Sequence, residues 1–160
     1  MTQQLYSEIH CPQNNTNLRS TLEYLTNHGE EIQYTCEHCN TKGTGRRREQ
    51  IITEASSNFL VICVKRTGSS YGHNIQATDD LTLLDSQDSP RVYTPISIIH
   101  HRGGIEPRPG STRHYLCDIK FRDNNQWYRT SDASEPKKLT GTEVTTKGYI
   151  ILFRRKHVSE

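Results

Sequence analysis

The sequence has no long apolar run, and it is poor in apolar residues as a whole. Hydrophobic residues make up 31% of the 160 residues, with one methionine and one tryptophan. No stretch is long enough to span a bilayer, and no signal-peptide pattern is present, so we expect no membrane partner. The five cysteines are an odd number without secretory context. This favours reduced thiols and a location in the cytoplasm or nucleus.

The sequence also lacks a strong net charge. Twenty basic and 18 acidic residues give a net charge of +2. Disorder normally combines low apolar content with high net charge, so we predict a folded chain with a thin core. The length fits one domain, which could be part of a larger one. The mild basic balance argues against an obligatory nucleic-acid partner.

The periodicity predicts one helix among many strands. Thr16 or Asn17 could cap a helix, and His28-Gly29 is a typical stop signal. Its apolar face is formed by Leu18, Leu22 and Leu25. Strands are predicted at residues 5–11, 50–53, 58–65, 81–84, 93–99, 113–119 and 149–153, with another starting at Trp127. The fold class is therefore α+β with mostly antiparallel strands.

Four short motifs then follow one another in a fixed order. They are Ile98-Ile99-His100-His101-Arg102-Gly103 after Tyr93, Arg113-His114-Tyr115, Trp127-Tyr128 with Asp132, and the run from Tyr149 to Phe153. Together they resemble the histidine box and closing strand of the ubiquitin-specific proteases, which are papain-like cysteine deubiquitinases. Upstream, residues 59–66 resemble a family strand ending in Lys-Arg. Residues 18–39 are similar to the family's helix and second zinc knuckle.

This resemblance covers nearly the whole chain but corresponds only to the family's C-terminal half. It implies a single partial domain over residues 1–160, with the papain-like fold of that family. Residues 1–66 would be fingers-like and residues 90–156 palm-like. The ancestral activity would be hydrolysis of the isopeptide bond after the C-terminal glycine of ubiquitin.

The resemblance also assigns roles to residues. His114 matches the base that deprotonates a catalytic thiol and then protonates the leaving amine. Ser131 stands where the family has the Asp or Asn that orients the imidazole, and Asp132 matches the neighbouring acidic position. A serine hydroxyl can accept the imidazole N–H but supplies no charge. The alternative for His114 is an ordinary half-exposed strand histidine, and Arg113 replaces a family glycine beside it.

The resemblance also predicts three substrate-binding residues, Tyr115, His101 and Trp127. Tyr115 and the loop at residues 103–112 would line a channel for the extended tail of ubiquitin. His101 matches a family histidine, and Trp127 would anchor the following strand. His100 is given no role.

A nucleophile is missing from these motifs. Cys11 precedes a helix, but Pro12 follows it, and Tyr6 stands where the family has its oxyanion-binding Asn. Cys63 and Cys117 lie in predicted strands and are interpreted as small core residues. We therefore predict that this chain lacks thiol protease activity.

Cys36 and Cys39 have the Cys-x2-Cys spacing of a zinc knuckle. A tetrahedral site needs four ligands, and no second pair occurs. Possible additional ligands, among which the spacing does not choose, are His10, Cys11, His28 and His38. Zinc is therefore expected at a half-site only, with well under one equivalent per chain. The alternative is a degenerate finger with two free thiols.

Three functions compete on this basis. The chain could belong to a deubiquitinase whose cysteine half lies on another segment. It could be an inactive relative that binds ubiquitin, a ubiquitinated protein or another protein. It could also be a zinc-knuckle nucleic-acid binder using the basic run at residues 46–48. Three arginines on a turn are more typical of a solvated face, and no aromatic residues alternate with them.

Overall fold

A computed structural model describes residues 7–10, 14–54, 56–66, 72–102, 114–132 and 134–157. In this part of the chain, one helix is accompanied by twelve strands. The helix is α1 (Leu18–Asn27). The strands are β1 (Ser7–His10), β2 (Thr16–Asn17), β3 (Glu30–Thr35), β4 (Lys42–Arg47), β5 (Phe59–Lys65), β6 (Ile75–Gln76), β7 (Leu81–Leu84), β8 (Pro90–Arg102), β9 (His114–Lys120), β10 (Trp127–Thr130), β11 (Lys137–Leu139) and β12 (Gly148–Arg155).

Eight of the strands form one large sheet. Its order is β1-β5-β12-β8-β9-β10-β11, and β7 pairs with β8 outside this path. All its pairs are antiparallel except β1 with β5. Two small sheets are formed by β2 with β6 and by β3 with β4. The prediction of a mostly antiparallel fold with one helix is confirmed.

Alternation along the central strands buries one face of the large sheet. In β5 the buried residues are Leu60, Ile62 and Val64, and in β12 Ile151 and Phe153 belong to the same core cluster. Helix α1 adds its apolar face to this cluster through Leu18 and Leu25, which are 2% and 1% exposed. The opposite face carries exposed apolar residues, among them Phe59, Tyr115 and Ile150.

The two ends of α1 follow the predicted signals. The side chain of Asn17 accepts a hydrogen bond from the Ser20 N–H at 2.8 Å, which identifies Asn17 as the N-cap. At the other end, the Tyr24 carbonyl accepts from the N–H groups of His28 and Gly29 at 2.8 and 3.0 Å. Gly29 has a φ of +68°, the left-handed conformation that ends many helices.

Replacing Gly29 by alanine is expected to destabilise the protein, because a Cβ there would overlap the carbonyl oxygen of Arg47. The left-handed conformation alone costs a residue with a side chain about 1–3 kcal/mol. Gly141 is a matched control, since a Cβ there meets no atom within 4 Å. Urea unfolding should show a clear loss for Gly29→Ala and almost none for Gly141→Ala. Equal stabilities for the two variants would contradict this account.

The structure corrects several local predictions. Residues 50–53 do not form a strand; only Thr53 makes an isolated bridge, to Asp85. Ile52 is 59% exposed, so its side chain gains no core contact that would hold a strand there. Arg46 and Arg47, predicted on a turn, lie in β4, which is held by its pairing with β3. The sequence also did not predict β2, β6 or β11, which form by pairing with other strands. In the described ranges, no helix has the length and hydrophobicity needed to cross a membrane.

Candidate active site

His114 is the first residue of β9, which lies between β8 and β10 in the large sheet. Side chains alternate between the two faces of a strand. His114 therefore shares a face with Leu116 and Asp118, which are both buried, whereas Tyr115 and Cys117 point to the other face. The register of the strand pairs determines which side chains of β8 and β10 lie beside those of β9 on each face of the sheet.

The structure brings His114, Ser131 and Asp132 together. The His114 Nε2 atom lies 2.8 Å from the Ser131 hydroxyl. The Nδ1 atom lies 3.4 Å from the Asp132 Oδ2 atom. The His114 side chain is 31% exposed and that of Asp132 is 78% exposed, so this carboxylate is surrounded largely by water. Both ring nitrogens of the imidazole thus have a polar neighbour, which holds the ring in one orientation.

Tyr115 and His101 form a separate pair on the opposite face of the sheet. They are direct cross-strand neighbours, and their rings are T-shaped with centroids 5.1 Å apart. Tyr115 is 61% exposed, whereas the Nε2 atom of His101 is buried and has no hydrogen-bond partner within the described residues. These two predicted substrate residues therefore lie together, but they do not share a face with His114. The loop at residues 103–112 and Arg113 lie outside the described residues.

Trp127 is 6% exposed and belongs to the core cluster at the start of β10. The Lys120 ammonium lies 5.9 Å from the centre of its ring. Its predicted role as an anchor of the strand fits this position. Its predicted place among the substrate-side residues stays a prediction.

A buried ionic network that was not predicted from the sequence lies beside the site. Asp118 is fully buried, and its carboxylate accepts hydrogen bonds from Arg129 Nε and Nη2 at 2.7 and 2.8 Å. It also accepts from the Thr145 N–H at 2.8 Å, and His100 Nε2 lies 3.4 Å away. The network joins β8, β9 and β10 to the segment that precedes β12. Side chains alternate along β9, so the sequence alone places Asp118 on the same face of the sheet as His114. This alternation was the signal from which the position of Asp118 could have been predicted.

The environment of Asp118 determines its ionisation. Burial raises the pKa of the carboxyl, but the hydrogen bonds from Arg129, His100 and Thr145 outweigh it and lower the pKa to about 2. The same contact with Asp118 raises the pKa of Arg129. The carboxylate therefore stays charged inside the protein across the neutral and mildly acidic range.

This pKa predicts a loss of stability in acid. An unfolded Asp titrates near 3.9, so the stabilisation is complete above about pH 4 and disappears as the pH falls through about 2. The corresponding contribution is of order 2–3 kcal/mol. Urea midpoints measured between pH 5 and 2 should fall more steeply for the native chain than for Asp118→Asn. Parallel curves for the two proteins would contradict the assignment.

The hairpin of β3 and β4 carries Cys36 and Cys39. Its turn is closed by the Cys36 N–H donating to the Thr41 carbonyl at 2.9 Å. A side-chain hydrogen bond with Thr41 lowers the pKa of the Cys39 thiol. In the described part of the chain, no group of three or more His, Cys, Asp or Glu side chains is placed to hold a metal. The described residues thus do not fit a complete tetrahedral zinc site, and the half-site stays a prediction.

The basic run beside this hairpin is partly neutralised. Arg47 forms ion pairs with Glu30 at 3.2 Å and with Glu49 at 2.9 Å. Arg46 donates to the His28 carbonyl at 3.4 Å. Exposed ion pairs of this kind are weak, and the nucleic-acid alternative stays a prediction.

Comparison with known proteins finds similar solved structures. No family model and no curated protein matches the chain. A structure of the yeast SAGA DUBm with an Sgf73 mutant matches with a TM-score of 0.63 and 18% identity, covering 96% of this chain and 35% of that one. The SAGA DUB module with a Ubp8 variant, bound to monoubiquitin, matches with a TM-score of 0.61, 19% identity and the same coverage. The Ubp8/Sgf11/Sus1/Sgf73 DUB module bound to ubiquitin aldehyde gives 0.60 and 16%, with 96% and 36% covered.

The fold is ubiquitin-specific-protease-like. At these identities the likeness shows the fold alone, and it confirms the architecture that the histidine-box motifs indicated. The chain spans 35–36% of the length of these matched chains. Activity, substrates and partners are therefore matters of proposal for this chain.

Proposed function

We propose that the chain is a ubiquitin-specific-protease-like domain that binds ubiquitin, or a protein carrying it, without thiol-dependent hydrolysis. The observation that carries this proposal is the fold likeness to DUB modules solved with monoubiquitin and with ubiquitin aldehyde. We interpret residues 1–66 as fingers-like and residues 90–156 as palm-like parts of a larger domain; the match covers 96% of this chain and 35% of the matched chain.

An exposed aromatic surface supports protein binding. Tyr115 stands on the open face of the sheet beside His101. On the same face, Tyr128 packs edge-to-face against Phe121 with centroids 5.0 Å apart, and Phe121 is 49% exposed. Aromatic residues that are exposed in the free protein are typical anchors of interfaces. An extended tail of ubiquitin could bind along this aromatic surface.

The positions of the described cysteines support the loss of thiol chemistry. Cys117 lies on the face of β9 opposite His114, and its Sγ atom lies 3.0 Å from the Ser97 hydroxyl. Cys63 is in β5, where burial raises the pKa of its thiol. Cys36 and Cys39 belong to the β3–β4 hairpin. Cys11 lies outside the described residues.

Titration of isotope-labelled ubiquitin with this chain tests the binding proposal by NMR. We expect chemical-shift changes in the C-terminal tail of ubiquitin, and weaker binding to ubiquitin that lacks this tail. Tyr115→Ala should weaken binding about ten-fold, the effect of removing an aromatic anchor worth somewhat more than 1 kcal/mol. Ile52→Ala is the matched control, because Ile52 is equally exposed at 59% but lies in the segment between β4 and β5. Unchanged ubiquitin spectra, or equal effects of the two variants, would contradict the proposal.

A second candidate is a deubiquitinase whose cysteine-bearing half is supplied by another segment. It is favoured by the contact of Ser131 with the His114 imidazole, which keeps this side chain oriented. Purified chain supplied with a cysteine-bearing partner segment should then cleave a ubiquitin substrate, and His114→Ala should remove that activity.

A further inference from the structure

We propose that Ser131, His114 and Asp132 form a serine-hydrolase triad that acts on carboxylic esters. The Ser131 hydroxyl lies 2.8 Å from Nε2 of His114, and the Asp132 carboxylate lies 3.4 Å from Nδ1 of the same ring. This is the order of contacts that a nucleophilic serine requires: hydroxyl, imidazole, carboxylate. Such triads are recognised by geometry and by the role of each group, since they recur on unrelated folds and in different chain orders.

The carboxylate favours one tautomer of the ring. An ionised Asp has only acceptor atoms, so the Asp132 carboxylate, 3.4 Å from Nδ1, favours the tautomer that carries its proton on this nitrogen. In the neutral imidazole, Nε2 is then the acceptor, and the Ser131 hydroxyl must be the donor of the 2.8 Å hydrogen bond. His114 is thereby set to remove a proton from Ser131. A serine that merely oriented the ring would have to accept from Nε2, which the position of Asp132 disfavours.

The backbone holds the serine at the end of a rigid strand. Ser131 directly follows β10, and its carbonyl accepts from the Ser134 N–H at 2.9 Å in the next turn. Asp132 has a φ of +42°, a left-handed conformation that is uncommon for a residue with a side chain. This turn directs the Asp132 carboxylate back to the ring of His114. Ser131 and His114 are both half-buried rather than enclosed in the core.

The reaction follows from these roles. The Ser131 Oγ atom adds to the ester carbonyl carbon while its proton moves to Nε2 of His114, and Asp132 stabilises the resulting imidazolium. The carbon–oxygen bond to the leaving group then breaks, and the Nε2 proton passes to the departing alkoxide. Water attacks the acyl-serine, giving its proton to His114, which returns it to Oγ as the carboxylic acid leaves. No oxidant, metal or further reactant is needed.

Esters with good leaving groups are the substrate class that suits this site. Asp132 is 78% exposed, so solvent weakens its effect on the imidazole. The activation of Ser131 is therefore modest, and amides, which need stronger help for the leaving amine, are poorer substrates. The inference is independent of ubiquitin binding, which the NMR titration measures separately.

A fluorophosphonate reagent and p-nitrophenyl acetate test the triad in the purified chain. We expect covalent labelling at Ser131, located by mass spectrometry, together with ester hydrolysis. Ser131→Ala should abolish labelling at this residue. His114→Ala should slow labelling by about 10²–10⁴-fold, the usual contribution of a general base. Ser134→Ala is the matched control and should be labelled at the native rate, since this exposed serine contributes only its backbone N–H.

Asp132 is a positioning residue and needs a different measurement. Asp132→Asn should slow labelling only about five-fold, because an exposed ion pair is weak. Asp132→Glu keeps the carboxylate and should restore most of the native labelling rate, which a merely structural role of this position would not require. Equal rates for Asp132→Asn and Asp132→Glu would contradict the assigned contact.

Ser131→Cys is a second variant that tests the site even if Ser131→Ala does not fold. Circular dichroism establishes that each variant is folded, and a thiol at this position should be alkylated by iodoacetamide faster than when His114 is also replaced by Ala. The proposal is overturned if folded native chain is not labelled at Ser131. It is also overturned if His114→Ala leaves labelling unchanged. Ester hydrolysis that persists undiminished in Ser131→Ala would show that another group is responsible.

Discussion

Replacing Asp118 by alanine is expected to destabilise the protein by about 3–5 kcal/mol, the usual result of removing one partner of a buried ion pair. The carboxylate is fully buried and takes part in four hydrogen bonds, two with Arg129, one with His100 and one with the Thr145 N–H. Without it, the guanidinium of Arg129 keeps its charge in a site that is largely shielded from water. The loss comes mainly from that unpaired cation and from the unpaired N–H.

A double-mutant cycle measures this effect against a suitable control. Asp118→Ala and Arg129→Ala should each destabilise strongly, and the double variant should lose much less than their sum, because it leaves no unpaired charge. Glu8→Ala is the control, since Glu8 forms a 2.6 Å ion pair with Lys65 on the surface. Removal of an exposed pair of this kind often has no measurable effect. Additive losses in the cycle would show that Asp118 and Arg129 act independently.

The elements with strong local signals were predictable from the sequence. The strand at Leu81–Leu84 and the N-cap at Asn17 occur as predicted, because β-propensity and capping depend on neighbouring residues. β11, with the sequence Lys137-Lys138-Leu139, gives no such signal, and only Leu139 is buried. It forms because β10 offers backbone partners, a contact that a local pattern does not contain.

The candidate site, too, was predictable only where the sequence carries a local signal. The resemblance of the motifs identified His114, Ser131 and Asp132, and the structure brings them together. The motif resemblance did not identify the ion pair between Asp118 and Arg129, because this contact depends on the register between β9 and β10. Residues 11 positions apart carry no local signal of contact. Alternation alone separates Tyr115 from His114, although adjacency in the motif suggested one common site.

We expect this chain alone to show no thiol-dependent cleavage of a ubiquitin-derived fluorogenic substrate and no labelling by a ubiquitin probe with a thiol-reactive end. A cysteine hydrolase needs its thiolate, base and oxyanion donors to act as a unit, and loss of the nucleophile alone can cost about 10⁶-fold in kcat. Here the described thiol closest in sequence to His114 is Cys117, on the opposite face of β9. The acceptor-only carboxylate of Asp132 also occupies the Nδ1 side of the ring.

The measurement compares the native chain with a variant in which all five cysteines are replaced by alanine. Both proteins should behave alike with the ubiquitin substrate and with the thiol-reactive ubiquitin probe, because no cysteine has a catalytic role. Fluorophosphonate labelling at Ser131 should also be the same in both, which checks that the cysteine-free chain keeps its fold. Labelling by the ubiquitin probe that one Cys→Ala change abolishes, above all at Cys11, would contradict the prediction. In that case His114 is the base of a cysteine site, and His114→Ala should abolish turnover as well.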